Sequence, residues 1–252
     1  MKNSKENIKK RRDELIVFLS TQEYSTISEL SERFNVSEMT IRRDCQILKN
    51  MNIITQHQNK LYYIDKSNDT DHHQQNIMNN KISRTAANYV KDEQMLFINS
   101  SSVAIHSLNY LSDKQFTLLT NNISAIDFKR NPKSTYLLSG GEISFERNIM
   151  TGDLAYDSFN NIQADIAIIG CSGISLDKGL STSKIYEARI NQKIIENANQ
   201  VILVTDYSKL GKSSNFKIAN LSQIDIIITD NFSDPTLIKE IEDLGITVVQ
   251  LD

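Results

Sequence analysis

The chain has 252 residues, of which 39% are hydrophobic and 23% charged, with a formal net charge of −3. This is the composition of an ordinary folded protein with a buried core, not of a disordered chain. No apolar run approaches the roughly 18 residues of a membrane-spanning helix. Met1–Glu6 is polar and lacks a secretory apolar stretch, and the two distant cysteines, Cys45 and Cys171, suit neither a disulfide framework nor a zinc site. A reducing, cytoplasmic location away from membranes is expected, with no cofactor.

Charge is uneven. Residues 1–66 carry 12 basic and 9 acidic side chains, whereas the remainder carries 16 and 22. A localised basic segment on an acidic chain fits a nucleic-acid partner but does not by itself define one.

In chain order, Ile8, Leu15, Ile16 and Leu19 recur at helical spacing, which predicts a first helix from Ile8 to Thr21. Thr26 with Glu29 three residues on forms a capping box ahead of a second helix from Ile27 to about Phe34. Asn35-Val36 makes a short turn, since Asn tolerates the left-handed conformation. Ser37 caps a third helix reaching about Asn50, and Ile53–Thr55 and Leu61–Ile64 read as two short strands. Three helices and a β-ribbon are the plan of a winged helix-turn-helix.

The third helix carries Ile41, Cys45 and Leu48 on one face and Met39, Arg42, Arg43 and Gln46 on the other, with Ser37 and Thr40 near its start. Arginine can bond guanine bidentately in the major groove, while hydroxyls and a helix N-terminus hold phosphates. Lys9, Lys10, Arg11, Arg12 and Lys60 could flank the DNA backbone. The competing reading is a solvated face, with Arg42 and Arg43 paired to Glu38 and Asp44.

Residues 66–76 are almost free of apolar side chains and read as a linker. His72-His73 beside Asp69 and Asp71 reads there as solvated and not as a metal site. Beyond the linker, seven apolar runs read as strands: Met95–Ile98, Phe116–Leu119, Thr135–Leu138, Asp165–Ile169, Val201–Val204, Ile224–Ile228 and Thr247–Val249. They are continuous rather than alternating in polarity, as strands buried on both faces are. Helices are expected over Ile77–Val90, Val103–Leu111, Ser124–Arg130, Leu154–Phe159, Ile185–Ala198 and Pro235–Leu244. The expected fold class is α/β: an N-terminal winged helix-turn-helix over 1–65, then a mostly parallel α/β domain over 77–252.

Most of the remaining polar motifs fall just after a predicted strand, where open α/β sheets bind ligands. Ser100-Ser101-Ser102 offers hydroxyls and backbone N–H groups to a phosphate, and Gly140-Gly141 allows close backbone approach. Lys209 supplies a cation, and Asn121, Glu142, Glu187 and Asp206 can bond sugar hydroxyls. Asn99, Cys171, Ser172 and Gly173 complete the candidate ligand set.

Residues 37–44, Ser-Glu-Met-Thr-Ile-Arg-Arg-Asp, resemble the signature of the DeoR family of bacterial transcription regulators. The resemblance implies that Ser37, Thr40, Arg42 and Arg43 face operator DNA. It continues through Thr120-Asn121-Asn122, Gly140-Gly141-Glu142, Gly152, Cys171-Ser172-Gly173-Ile174, Gly179-Leu180-Ser181-Thr182, Glu187-Ala188 and Asp206-Tyr207-Ser208-Lys209-Leu210-Gly211. It implies a sensor domain resembling ribose-5-phosphate isomerase, whose effector is a phosphorylated sugar or related metabolite. The chain departs from the family at two places. A His-Gly-Gly wing segment is replaced by Thr55–Lys60, and an Asp-Ser-Gly-Thr-Thr loop by Asn99-Ser100-Ser101-Ser102-Val103.

The expected function is sequence-specific binding to double-stranded operator DNA by a homo-oligomeric repressor of carbohydrate genes, released by a phosphosugar. Two alternatives stand beside it. One is an isomerase-like enzyme using Glu187 and Lys193, for which no catalytic signature is present. The other is a regulator whose C-terminal domain no longer senses.

Overall fold

The computed structural model describes residues 5–22, 24–50, 53–57, 59–63 and 70–252, with side chains throughout except at 5–10, 50, 57 and 70–74. The chain divides into two compact units, Met1–Gln74 and Gln75–Asp252.

The smaller unit contains α1 (Lys5–Ser20), β1 (Ser25–Thr26), α2 (Ile27–Arg33), α3 (Glu38–Asn50), β2 (Ile54–His57) and β3 (Lys60–Tyr63). The capping box forms: Thr26 Oγ1 accepts from Glu29 N at 3.3 Å, and the Glu29 carboxylate accepts from Thr26 N at 2.8 Å. Asn35 takes the left-handed conformation, with φ of 48°, and so turns the chain from α2 toward α3. Leu15 and Leu19 of α1, Leu30 of α2, and Ile41, Cys45 and Leu48 of α3 close one core with Ile54 and Leu61 of the ribbon. The β2–β3 ribbon is antiparallel, and β1 adds a short third strand that the sequence did not announce.

Helix α4 (Thr70–Ala87) runs across the division at Gln74, and the larger unit continues with β4 (Met95–Ile98), α5 (Ser102–Ile105), β5 (Thr117–Thr120) and β6 (Thr135–Leu138). There follow β7 (Glu142–Ser144), β8 (Ile149–Thr151), α6 (Asp153–Asn160), β9 (Ile166–Ile169), β10 (Gly173–Ser175), β11 (Gly179–Thr182) and α7 (Ile185–Glu196). The unit ends with β12 (Val201–Val204), β13 (Phe216–Ala219), β14 (Ile226–Asp230), α8 (Pro235–Glu242) and β15 (Thr247–Leu251).

All seven predicted strands form one parallel sheet, in the order β15-β14-β12-β9-β4-β5-β6. Alternate residues feed two cores. Phe97, Ala167, Ile169, Leu203 and Ile227 pack with α6, α7 and α8 on one face, whereas Leu96, Ile98, Ile166, Ile168, Ile202 and Ile228 pack with α4 and α5 on the other. Two buried faces are why these strands read as unbroken apolar runs.

Three differences from the expected elements have local causes. Helix α4 begins at Thr70, inside the segment expected as linker. Its buried stripe, Met78, Ile82 and Ala86, starts further along, and no Gly or Pro stops the helix from extending through polar residues. The expected Val103–Leu111 and Ser124–Arg130 helices are largely 3-10 turns, over His106–Tyr110 and Ile123–Asp127. The antiparallel pieces β7–β8 and β10-β11-β13 were not expected, because strands of three or four residues, two of them opening on glycine, are too short to show a periodicity.

Candidate functional site

In the smaller unit, α3 separates its faces as its periodicity requires. Ile41, Cys45 and Leu48 are buried, while Ser37, Met39, Arg42, Arg43 and Gln46 are exposed and Thr40 is half-buried. Ser37 Oγ accepts from Thr40 N at 3.3 Å and lies 3.0 Å from Thr40 Oγ1, which fixes the first turn. Arg42 pairs with Glu38 at 3.2 Å, with 59% of its side chain exposed. An exposed pair of this kind contributes little and can be exchanged for another anion. Among the described residues, Arg43 has no ion-pair partner.

Asp44 does not pair with Arg43. Its carboxylate is 2% exposed and accepts from Arg11 Nε and Arg12 Nε, each at 2.7 Å. Arg12, expected at the DNA backbone, also braces α1 against α3 through this pair. A buried carboxylate needs such partners, and two guanidinium groups supply them. The Lys9 side chain and the His72-His73 pair lie outside the described side chains.

In the larger unit, the strand order reverses between β4 and β9: from β4 the chain goes outward through β5 and β6, then returns to β9 and continues the other way. The loops after β4 and β9 therefore diverge and leave a crevice. A cavity of about 300 Å³ lies there, lined by Asn99, Ser100, Ser101, Ser102, Gly170, Cys171, Ser172, Thr182, Glu187, Asn191 and Lys209. Eight of the fourteen expected ligand residues are among them; Gly170, Thr182 and Asn191 are additions. Thr182 lay within a quoted motif without being singled out. Asn191 sits inside α7, where no motif marks it.

Asn99 holds the pocket floor together. It is 1% exposed. Its Nδ2 donates to Gly170 O at 2.9 Å and to Asn191 Oδ1 at 3.1 Å, while its Oδ1 accepts from Gly170 N and Ser101 N at 3.1 Å each. Gly170 must be glycine, because a Cβ there would stand 2.2 Å from Ser101 Oγ. Ser101 Oγ in turn caps α5 by accepting from Ala104 N at 3.3 Å.

Around the rim, Lys209 pairs with Asp206 at 3.1 Å. Burial pushes the Asp206 carboxyl up, but the Ser208 hydrogen bond and the Lys209 ammonium outweigh it and hold the group below the usual carboxylate range. Glu187 accepts from Thr182 Oγ1 at 2.9 Å and from Arg147 Nη1 at 3.3 Å. Cys171 reaches the cavity wall, and burial pushes its thiol up to about 12. It is thus protonated at neutral pH and a poor nucleophile. Lys193, the other group weighed for isomerase chemistry, is not among the lining residues; it pairs with Glu196 at 2.5 Å.

Six expected ligand residues lie off the cavity wall. Asp206 pairs with the lining residue Lys209. Gly173 starts β10, where a Cβ would meet Lys212 O at 2.7 Å. Asn121 is buried, its Nδ2 donating to Met150 O at 3.1 Å. Gly140, Gly141 and Glu142 lead into the β7–β8 hairpin. Gly141, with φ of 100°, lets the hairpin pack, since a Cβ would stand 2.3 Å from Thr151 O. Among the described residues, no three His, Cys, Asp or Glu side chains gather as a metal cage, and no helix is long and apolar enough to cross a membrane.

Two family models match the chain, one on each unit. Residues 11–67 match the DeoR-like helix-turn-helix domain, and residues 75–231 match the DeoR C terminal sensor domain. The HTH-type transcriptional regulator GolR of Listeria innocua is 28% identical over 245 residues, covering 94% of this chain and 96% of GolR. The glycerol-3-phosphate regulon repressor of Escherichia coli K12 is 29% identical over 228 residues, covering 87% and 90%. Among solved structures, ribose 5-phosphate isomerase A from Methanocaldococcus jannaschii aligns over 54% of each chain at 15% identity, with a TM-score of 0.38. The chain is a DNA-binding transcriptional regulator, with a helix-turn-helix unit joined to an α/β sensor domain. It belongs to the DeoR family.

Proposed function

We propose that this regulator represses genes of carbohydrate metabolism as a cytoplasmic homo-oligomer and leaves its operator when a phosphorylated sugar enters the β4–β9 crevice. The observation that carries this reading is the composition of the cavity wall. Three consecutive serines and Lys209 suit a phosphate, while Ser172, Thr182 and Glu187 suit hydroxyls. The name of the Escherichia coli relative, a glycerol-3-phosphate regulon repressor, points to the same ligand chemistry.

On the DNA side, Arg42, Arg43 and Gln46 face the major groove, with Ser37, Thr40 and Lys9 on phosphates. One such helix reads only a short half-site, so two copies act together. Ligand and DNA communicate by linkage: a phosphosugar that prefers the DNA-incompetent arrangement draws the population away from the operator.

The test is fluorescence anisotropy of the full chain on DNA from the region upstream of its own gene, titrated with a phosphosugar panel. At least one phosphosugar should weaken operator binding tenfold or more and raise the melting temperature. If no member of the panel stabilises the protein or shifts DNA binding, the effector reading is wrong.

A further inference from the structure

We propose that Arg147 is a positioning residue of the effector pocket, holding the Glu187 carboxylate in place as the acceptor for ligand hydroxyls. The proposal rests on the phosphosugar reading above and specifies how one wall of that pocket selects its ligand.

Arg147 lies in the turn between β7 and β8, outside the cavity lining. Its Nη1 donates to Glu187 Oε1 at 3.3 Å, while Glu187 Oε2 accepts from Thr182 Oγ1 at 2.9 Å. Ser172 Oγ donates to Thr182 Oγ1 at 3.4 Å. The donors on this wall therefore run in one direction, from Ser172 through Thr182 to Glu187, with Arg147 meeting the carboxylate from the far side. A carboxylate offers about four acceptor sites, so Glu187 keeps acceptor capacity for a ligand. Hydroxyl donors satisfy it, whereas phosphate oxygens are repelled. A phosphosugar is then oriented, with its phosphate toward Ser100–Ser102 and Lys209 and its hydroxyls toward Glu187.

The turn that carries Arg147 is anchored rather than free. Arg147 N donates to Ser144 O at 3.2 Å, and Asn148 takes a positive φ of 55° to complete the reversal. Below the turn, Ile123 N donates to Asn148 O and Met150 N to Asn121 O, both at 2.7 Å. Asn122 Nδ2 reaches Ser100 O at 3.4 Å, which ties the same loop to the phosphate side of the cavity. The hairpin thus connects one rim of the cavity, at Ser100, to the other, at Glu187. The Asn121-Asn122 motif builds this connection instead of touching ligand.

The experiment is calorimetric titration of the full chain with two kinds of probe. Glucose 6-phosphate, fructose 1-phosphate and glycerol 3-phosphate carry a phosphomonoester and hydroxyls; methyl phosphate carries the phosphomonoester alone. Arg147→Ala should weaken the best hydroxylated probe by roughly fivefold, the range of a partly exposed charge pair, and leave methyl phosphate unchanged. Arg147→Lys should recover most of the loss, and in a Glu187→Gln background Arg147→Ala should have no further effect. Equal weakening of both kinds of probe, simple addition of the two substitutions, or wild-type affinity in Arg147→Ala would overturn the role of Arg147 while leaving the phosphosugar reading intact. A wild-type protein that binds no phosphorylated probe would overturn that reading, and this proposal with it.

Discussion

Replacing Asn99 by Asp changes one atom and reverses half of the hydrogen bonding at the pocket floor. Asn99 Nδ2 donates to Gly170 O at 2.9 Å and to Asn191 Oδ1 at 3.1 Å. A carboxylate cannot donate, so Asn99→Asp loses both bonds and sets a negative charge against two oxygens at a site 1% exposed. The bonds from Gly170 N and Ser101 N survive, and Asn191 can turn its amide to donate. With Asn191 turned, the bond to Gly170 O stays lost at about 1 kcal/mol, and the poorly compensated buried charge costs about 2 kcal/mol more, for a total of about 3 kcal/mol. In a domain of this size each kcal/mol moves the melting temperature by ~2–4 °C, so a drop of roughly 6–12 °C is expected. The sign with pH follows from the same geometry. The folded state raises the pKa of the new carboxyl, so its cost is full at pH 8 and shrinks on acidification, when protonation restores a donor. Differential scanning calorimetry of the full chain at pH 8 and pH 5.5, following the transition of the larger unit, measures both quantities. A melting temperature within 2 °C of wild type at pH 8, or a deficit that grows on acidification, would refute the assignment of Asn99 as a four-bond brace.

Two further outcomes follow from the same pocket. With its thiol pushed up to about 12, Cys171 should react with iodoacetamide at pH 8 on the order of a thousandfold more slowly than an ordinary thiol, whose pKa is about 8.5; mass spectrometry showing labelling at the free-thiol rate in the native protein would contradict this. Asp206 has a lowered folded pKa, so its ionised form contributes stability above the unfolded carboxylate value of about 3.9 and loses it as pH falls through the folded value. Asp206→Asn should therefore lower the melting temperature at pH 7 by a few degrees, on the order of 1 kcal/mol, and the gap should close toward pH 3; a gap that persists in acid would show that the charge is not its source.

The parallel sheet was legible because both of its faces are buried, so Met95–Ile98, Val201–Val204 and the other runs are apolar without interruption. Helix α3 was legible for the complementary reason: Ile41, Cys45 and Leu48 repeat at helical spacing on one face, with charge on the other. The hairpin carrying Arg147 was not, since Glu142–Ser144 and Ile149–Thr151 are three-residue strands whose pairing is set by contacts with Asn121 and Asn122 rather than by pattern. Position after a strand located the crevice but did not separate ligand-facing side chains from braces. Asn99, Asn121 and Gly141 stand after strands yet serve backbone packing, because their role depends on which carbonyl the fold brings beside them: Gly170 O, Met150 O and Thr151 O. The competing, solvated-face reading of α3 pairs Asp44 with Arg43, whereas the fold brings α1 to Asp44 with Arg11 and Arg12. That contact spans more than thirty residues and leaves no trace in local spacing.

The central claim is that the exposed side of α3 reads operator DNA. Its most direct measurement is a pair of binding curves for Arg43→Ala and the wild-type chain, on operator DNA from the region upstream of its own gene and on random-sequence DNA of equal length, at fixed salt. Arg43→Ala should lose about 1–3 kcal/mol of preference for the operator, while its binding to random DNA and its melting temperature change little. An unaltered ratio of operator to random affinity in a folded Arg43→Ala protein would contradict the account.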